Sequence, residues 1–454
     1  MTTTDPRVLI KSGSMTRFQI VVVALCVAIA ALDGFDVLVI AYTAPSIARE
    51  WQLGPTDLGA VFSAGLIGMG LGGVLLGVAG DHFGRRPMAL LSLVIVTLGM
   101  SATAYARDLG DLAALRAFTG LGIGGALVSI NVIVSEYSSD RRRNLAISLM
   151  TVGYPIGATL GGFAAIYLIA QFGWRSVYLF GGVVGLVLIP PVLYLLPESI
   201  ELLVSRGGSR ALQTVNRILS RMNEPALSAL PEAMNEKATR EGLADIFRSR
   251  HLLALAATSC AYFFTSFTCY FLLSWMPKLL VERGLSLSAG ISSSLLMNLA
   301  GAVGCIMFGV FARQLGPRMY AAGLMVGLFV VTSIFGVMGD SAPLLIVVTV
   351  AIGFCLFASI TALYAIVPGA FPVAIRSTGI GFAMSIGRIG AVMGPFAAGI
   401  VFAQGVSSAI YCAMLAAPML ISAAVLYWVR AYAPSATAKD ELQSLGTQAA
   451  GTQA

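Results

Sequence analysis

The chain has 454 residues, 57% of them hydrophobic and only 11% charged, against about 25% charged in soluble domains. Forty-nine charged residues cannot coat the two or three soluble domains that this length implies, so a soluble fold is excluded and a lipid-solvated one is expected. The net charge of +7 raises nucleic acid as a partner, but in so apolar a chain a basic excess records membrane topology.

Apolar runs of the roughly 20 residues needed to cross a hydrocarbon core recur at about 18–45, 56–80, 87–106, 112–135, 145–170, 176–196, 252–276, 288–312, 318–338, 343–368, 378–402 and 407–429. They predict an all-α integral membrane protein of twelve transmembrane helices in two six-helix bundles. The divisions expected are a cytoplasmic N-terminus over 1–17, a first bundle over 18–196, a cytoplasmic central loop over 197–251, a second bundle over 252–430, and a disordered cytoplasmic tail over 431–454. With the N-terminus inside, 21 of the 28 Lys and Arg fall in cytoplasmic segments, five outside and two, Arg116 and Arg388, within spans. That asymmetry is the positive-inside pattern, and it leaves no basic patch for nucleic acid. The first span is too long for a signal-peptide core and carries Asp33 and Asp36, so it is expected to stay in the membrane. All six cysteines lie in spans without CxxC spacing, as packing residues rather than disulfides or metal ligands.

Two stretches repeat across the halves. Gly77 to Arg86 (GVAGDHFGRR) follows span two, and Gly309 to Arg318 (GVFARQLGPR) follows span eight at an offset of 232; Tyr137 to Gly153 likewise resembles Phe371 to Gly387. Both repeats run in the same sense between equivalent spans, so the halves are parallel repeats, an arrangement of alternating-access carriers. The Gly77–Arg86 loop resembles the signature between helices two and three of the major facilitator superfamily, and Arg116-Ala117-Phe118-Thr119-Gly120 resembles its helix-four motif. Asp33-Gly34-Phe35-Asp36, Ser135-Glu136-Tyr137 before three arginines, Pro197-Glu198-Ser199 and the Gly387-Arg388 context resemble the aromatic acid:proton symporter family within it. One departure is His82, where the superfamily usually has Arg or Lys. The resemblance implies the major facilitator fold, uptake of an aromatic carboxylate such as benzoate or a hydroxybenzoate with protons as coupling ion and no cofactor, and a multi-pass monomer in a bacterial-type inner membrane.

Ionisable groups inside a bilayer are costly and point to function. Asp33 and Asp36 stand at i and i+3 on one helix face, and counting at about 1.5 Å per residue puts them at the same depth as Arg116. One arginine neutralises one carboxylate and leaves the other as a candidate proton carrier; the alternative is a fixed structural network. Arg388 is the one charge in the spans of the second half. Its bidentate guanidinium suits a substrate carboxylate, or else pairs with Asp33 or Asp36 as a gate. A ring needs stacking surface, for which span seven offers Tyr262, Phe263, Phe267, Tyr270 and Phe271, and span ten Phe357 and Tyr364. Tyr270 and Tyr364, then Asn131, Tyr154 and Asn298, are selected as lining residues because a polar group in a span needs a partner.

Asp81 closes span two, where the helix dipole disfavours a negative charge. It needs Arg85, Arg86 or the N-terminus of span eleven near Ser377, and the last would latch the halves on the cytoplasmic side. The resemblance implies that gate, built on Gly77, Asp81, Gly84, Arg85 and Arg86. Glu136 is expected to pair with Arg142 or Arg143 in a similar tie, or as a solvated loop pair worth little. Gly120 to Gly125 matches GxGxxG literally, but no strand precedes it and it lies within a span, so a dinucleotide site is rejected. Gly73/Gly77, Gly120/Gly124, Gly153/Gly157/Gly161 and Gly390/Gly394 have instead the spacing of close helix packing. No Walker A loop or HExxH motif supports a pump driven by ATP or an intramembrane enzyme. A carrier of another organic anion, such as a muconate, lactone-type or aliphatic acid, and a transport-like sensor remain as alternatives.

Overall fold

The computed structural model describes residues 5–11, 14–231, 249–371 and 376–428. Twelve helices among them are long and apolar enough to cross a membrane. The first half holds α1 (Arg17–Trp51), α2 (Pro55–Phe83), α3 (Arg85–Thr103), α4 (Leu109–Tyr137), α5 (Arg143–Phe172) and α6 (Arg175–Leu195). The second holds α7 (Ser249–Glu282), α8 (Leu287–Leu315), α9 (Pro317–Val337), α10 (Ala342–Ile366), α11 (Arg376–Ala403) and α12, which breaks into Ser408–Ala416 and Pro418–Trp428. Spans predicted from apolar runs grow by a few residues at most ends because caps lie beyond the apolar stretch. Thr16 and Gln19 form a reciprocal capping box at the start of α1.

The parallel repeat is visible in the packing. Within each half the first helix packs on the fifth, the second on the fourth, the third on the fourth and the third on the sixth. Small residues allow these crossings. A Cβ at Gly68, Gly72, Gly120 or Gly124 would run into a carbonyl across the α2–α4 seam; Gly34 and Gly157 do the same for α1–α5, and Gly390 and Gly394 for α7–α11. Of the predicted pairs, Gly73/Gly77 is displaced: the residues in carbonyl contact are Gly68 and Gly72, one helical face over. The six cysteines are free.

The central segment is not the simple loop expected. Helices Ile200–Arg206 and Gly208–Arg221 follow α6, parted by Gly207 and Gly208, both at positive φ. Ala211, Val215, Ile218 and Leu219 of the second helix are buried, so an amphipathic helix caps the base of the first half. A short helix, Pro6–Lys11, joins this layer: Ile10 is buried, its carbonyl accepts from Gln19 Nε2 at 3.1 Å, and the Lys11 carbonyl accepts from Asp140 N. The rest of the predicted central loop and the predicted disordered tail lie outside the described residues.

The halves meet at one end. Through α2–α11, α1–α7 and α5–α8 they close at the end carrying the α1–α2 and α11–α12 connections. Ser63 Oγ donates to the Val392 carbonyl at 2.8 Å, Phe62 meets Trp275 edge-on at 5.3 Å, and Gly59 lies against Pro395 and Gly399. At the other end, which carries most of the arginines, α4 and α10 are not packed together among the described residues. A cavity between the halves therefore opens at the basic end.

Candidate functional site

α1 carries Asp33 and Asp36 on one face, 1% and 0% exposed, and Arg116 on α4 is 2% exposed. The close α1–α5 seam and a buried polar seam on α1 fix that face: Tyr42 Oη donates to the Ala158 carbonyl, and Thr43 Oγ1 lies 3.1 Å from Tyr178 Oη. Arg116 Nη1 donates to Asp36 Oδ1 and Nη2 to the Asp36 carbonyl, both at 2.8 Å. One guanidinium thus clamps the side chain and backbone of one aspartate. Asp33 has no ion pair, and Asp33 Oδ2, Asp36 Oδ2 and Arg116 Nε have no hydrogen-bond partner among the described residues. The depth reading that put three charges together is realised, with Asp36 as the partner and Asp33 left over.

Arg388 lies half-buried on α11 and has no hydrogen bond or ion pair among the described residues. The alternative gate with Asp33 or Asp36 is not formed among the described residues: Arg116 holds Asp36, and Asp33 carries no ion pair. Tyr270 and Tyr364 stand within electrostatic reach of Arg388 and of each other. Tyr154, set by the Gly34 contact, stands within reach of Tyr270, Asp33 and Asp36. Tyr270 also joins Arg116, Phe62, Met69 and Ser274 around a narrow pocket between the halves. Three of the five predicted lining residues, Tyr154, Tyr270 and Tyr364, thus lie within electrostatic reach of the buried aspartates or of Arg388.

The two asparagines differ. Asn131 is exposed and spends its amide N–H on the Leu127 carbonyl at 2.8 Å, leaving its oxygen without a partner among the described residues. Asn298 is 1% exposed; its amide donates to the Ser294 carbonyl and its Oδ1 has no partner among the described residues. Asn298 is thus enclosed in this conformation, with one polar atom unspent.

At the basic end Asp81 pairs with Arg85, whose Nη1 also donates to the Gly77 carbonyl at 3.2 Å. Arg86 donates instead to the Leu193 carbonyl. The side chain of Ser377, the other partner foreseen for Asp81, lies outside the described residues. Gly84, at φ +120°, closes α2 where a Cβ would strike the Glu198 carboxylate. Glu198 accepts from the backbone N–H groups of Arg85 and Arg86 at 2.7 and 3.3 Å and so caps α3.

The pairing expected between Glu136 and Arg142 is corrected. Glu136 accepts from Ser199 Oγ and Ile200 N, both at 2.8 Å, while Arg142 is exposed without an ion pair among the described residues. Orphan N–H groups at the start of helix Ile200–Arg206 offer a buried carboxylate better partners than a solvated arginine. Glu198 was visible only as part of a motif; its signal was an acid placed to meet the unpaired amides of the α2–α3 turn.

A sequence profile of the Major Facilitator Superfamily matches residues 24–360. The chain belongs to the major facilitator superfamily. It is 31% identical over 417 residues to the gallate transporter of Pseudomonas putida, covering 91% of this chain and 92% of that one. It is 28% identical over 429 residues to a 4-hydroxybenzoate transporter of Acinetobacter baylyi, covering 93% of each. A 3-(3-hydroxy-phenyl)propionate transporter of Escherichia coli is 30% identical over 92% of this chain and 95% of its own length. In fold it is similar to the xylose transporter XylE of E. coli in its inward-open conformation, with a TM-score of 0.72 at 16% identity over 92% of this chain and 98% of that one. The superfamily's two-bundle architecture matches the paired packing described above.

Proposed function

We propose that this superfamily member imports an aromatic carboxylate of the benzoate or hydroxybenzoate type together with protons, by alternating access. The observation that carries the reading is Arg388: a permanently charged guanidinium, half-buried, without a protein counter-ion among the described residues and within electrostatic reach of Tyr270 and Tyr364. A carboxylate would complete it with paired N–H···O bonds, and the phenol rings would take an aromatic body. Relatives named for gallate, hydroxybenzoate and hydroxyphenylpropionate transport support that class of ligand.

Asp33 is the proton-binding group in this scheme. With Asp36 held by Arg116, protonation of Asp33 removes the one acidic charge on this face of α1 that lacks an arginine, and the pair of bundles can rock around a neutral contact. Release of the proton at the open end resets the cycle. The basic end is assigned to the cytoplasm, with both termini there, on the distribution of Lys and Arg, and the bacterial transporters it resembles support a bacterial-type inner membrane.

Purified protein in liposomes with labelled 4-hydroxybenzoate tests the scheme. An acidic outer pH is expected to drive accumulation by the wild type. Asp33→Asn is expected to lose accumulation but keep exchange of internal for external substrate. Full accumulation by Asp33→Asn removes Asp33 from coupling, and accumulation indifferent to pH removes the proton altogether.

A further inference from the structure

Four tyrosines are buried among the described residues, Tyr42, Tyr137, Tyr178 and Tyr262. Three have their hydroxyls satisfied: Tyr42 by the Ala158 carbonyl, Tyr137 by the Glu198 carbonyl at 2.6 Å, and Tyr178 by Thr43. Tyr262, 5% exposed on α7, has none. Enclosing a hydroxyl without a partner carries a desolvation cost, which three tyrosines of this protein avoid.

The position of the exception gives it meaning. The Tyr262 ring lies 6.2 Å from that of Tyr364, tilted by 55°. On the other side, a Cβ on Gly387 would stand 3.1 Å from Tyr262 Cβ and 3.3 Å from its carbonyl, so the α11 turn that presents Arg388 packs directly on this residue. Tyr364 itself is 52% exposed. An unpaired cation, an exposed ring and an enclosed, unspent hydroxyl therefore lie close together at Arg388, Tyr364 and Tyr262.

We propose that Tyr262 determines specificity: it hydrogen-bonds a hydroxyl on the ring of the carried acid, separating hydroxylated from unsubstituted aromatic carboxylates. The inference rests on Arg388 taking the carboxylate. Tyr364 turns aside to admit the ring, and Tyr262 receives the ring hydroxyl where no protein group does. A site built to bond a hydroxyl discriminates strongly against the analogue lacking it, since the buried group is then left unpaired.

Calorimetric titration of the full-length protein in detergent with benzoate, 3-hydroxybenzoate and 4-hydroxybenzoate tests this. The wild type is expected to bind at least one hydroxybenzoate about tenfold more tightly than benzoate. Tyr262→Phe is expected to abolish that preference while leaving benzoate affinity within about twofold. Equal losses for all three ligands, or none for any, overturn the role of Tyr262. Selective loss in Tyr364→Phe but not in Tyr262→Phe overturns it too, by assigning the hydroxyl to Tyr364. Arg388→Gln reads the underlying assumption separately: undiminished affinity for all three acids removes Arg388 from the carboxylate site whatever Tyr262 does.

Discussion

At the scale of single residues, two arginines with the same chemistry have opposite circumstances. Arg116 is spent: both terminal nitrogens bond Asp36, and the pair is enclosed. Removing one member of such a pair leaves a buried charge, at a cost of about 3–5 kcal/mol, whereas removing both is far milder. Asp36→Asn is therefore expected to lower thermal stability markedly, and Asp36→Asn with Arg116→Gln to recover much of the loss; additive losses in a melting assay contradict the account. Arg388 carries no such obligation, so Arg388→Gln is expected to leave the melting temperature within a few degrees while weakening carboxylate binding at least tenfold. Arg388→Lys restores charge without the planar fork and is expected to recover only part of the affinity. Asp33, Asp36, Arg116 and Arg388 were legible because charge inside a span is rare enough to count. Tyr262 was not, since one phenol in an aromatic stripe has no mark of its own until its neighbours' hydrogen bonds are known. Glu136 misled for a related reason: three arginines follow it closely in sequence, but the helix that uses it starts more than sixty residues later.

At the scale of elements, the same device recurs at the α2–α4, α1–α5 and α7–α11 seams: a glycine on one helix faces a carbonyl on the next. Gly120 illustrates the sensitivity, because a Cβ there would overlap the Gly65 carbonyl on α2. Gly120→Val is expected to part α2 from α4 and give protein that fails to fold or melts well below the wild type. Gly309→Ala, with open space around its Cα, is expected to be neutral in the same melting assay. Twelve spans could be read from apolar runs because a lipid-solvated helix must be apolar over about 20 residues. The 14-residue helix Gly208–Arg221 could not, since it buries only a stripe of four residues in a polar sequence and falls below that length. GxxxG spacing identified the seam on α4 but chose the wrong glycines on α2, because a run with Gly at 65, 68, 70, 72, 73 and 77 contains several registers and the partner helix selects one.

At the scale of the whole molecule, the sequence described two bundles and a latch but could not say which end of the cavity is shut, since both states use the same helices. In this conformation Asp81 is paired inside its own half with Arg85, and the bonds across the halves lie at the opposite end, among Gly59, Phe62, Ser63, Trp275, Val392 and Pro395. These contacts rely on close approach: a Cβ on Gly59 would sit 2.9 Å from the Pro395 carbonyl, and one on Gly399 2.7 Å from the Pro55 carbonyl. Adding bulk there penalises the shut state of that end without touching Arg388, Asp33 or the packing inside either bundle, and a conformational equilibrium shifts by the free-energy difference imposed on one state. Gly399→Val is therefore expected to favour opening at this end. The readout is a Ser274→Cys reporter on the narrow pocket beside Arg116, in a background with the native cysteines replaced. Its reaction with a membrane-impermeant maleimide applied from that side is expected to rise severalfold when Gly399→Val is added. A reporter at Asn131, exposed toward the basic end of α4, is expected to become less reactive from the basic side in the same variant. If both reporters gain reactivity together, the bundles have loosened rather than rocked, and the contacts around Gly59 and Gly399 are general packing instead of a gate.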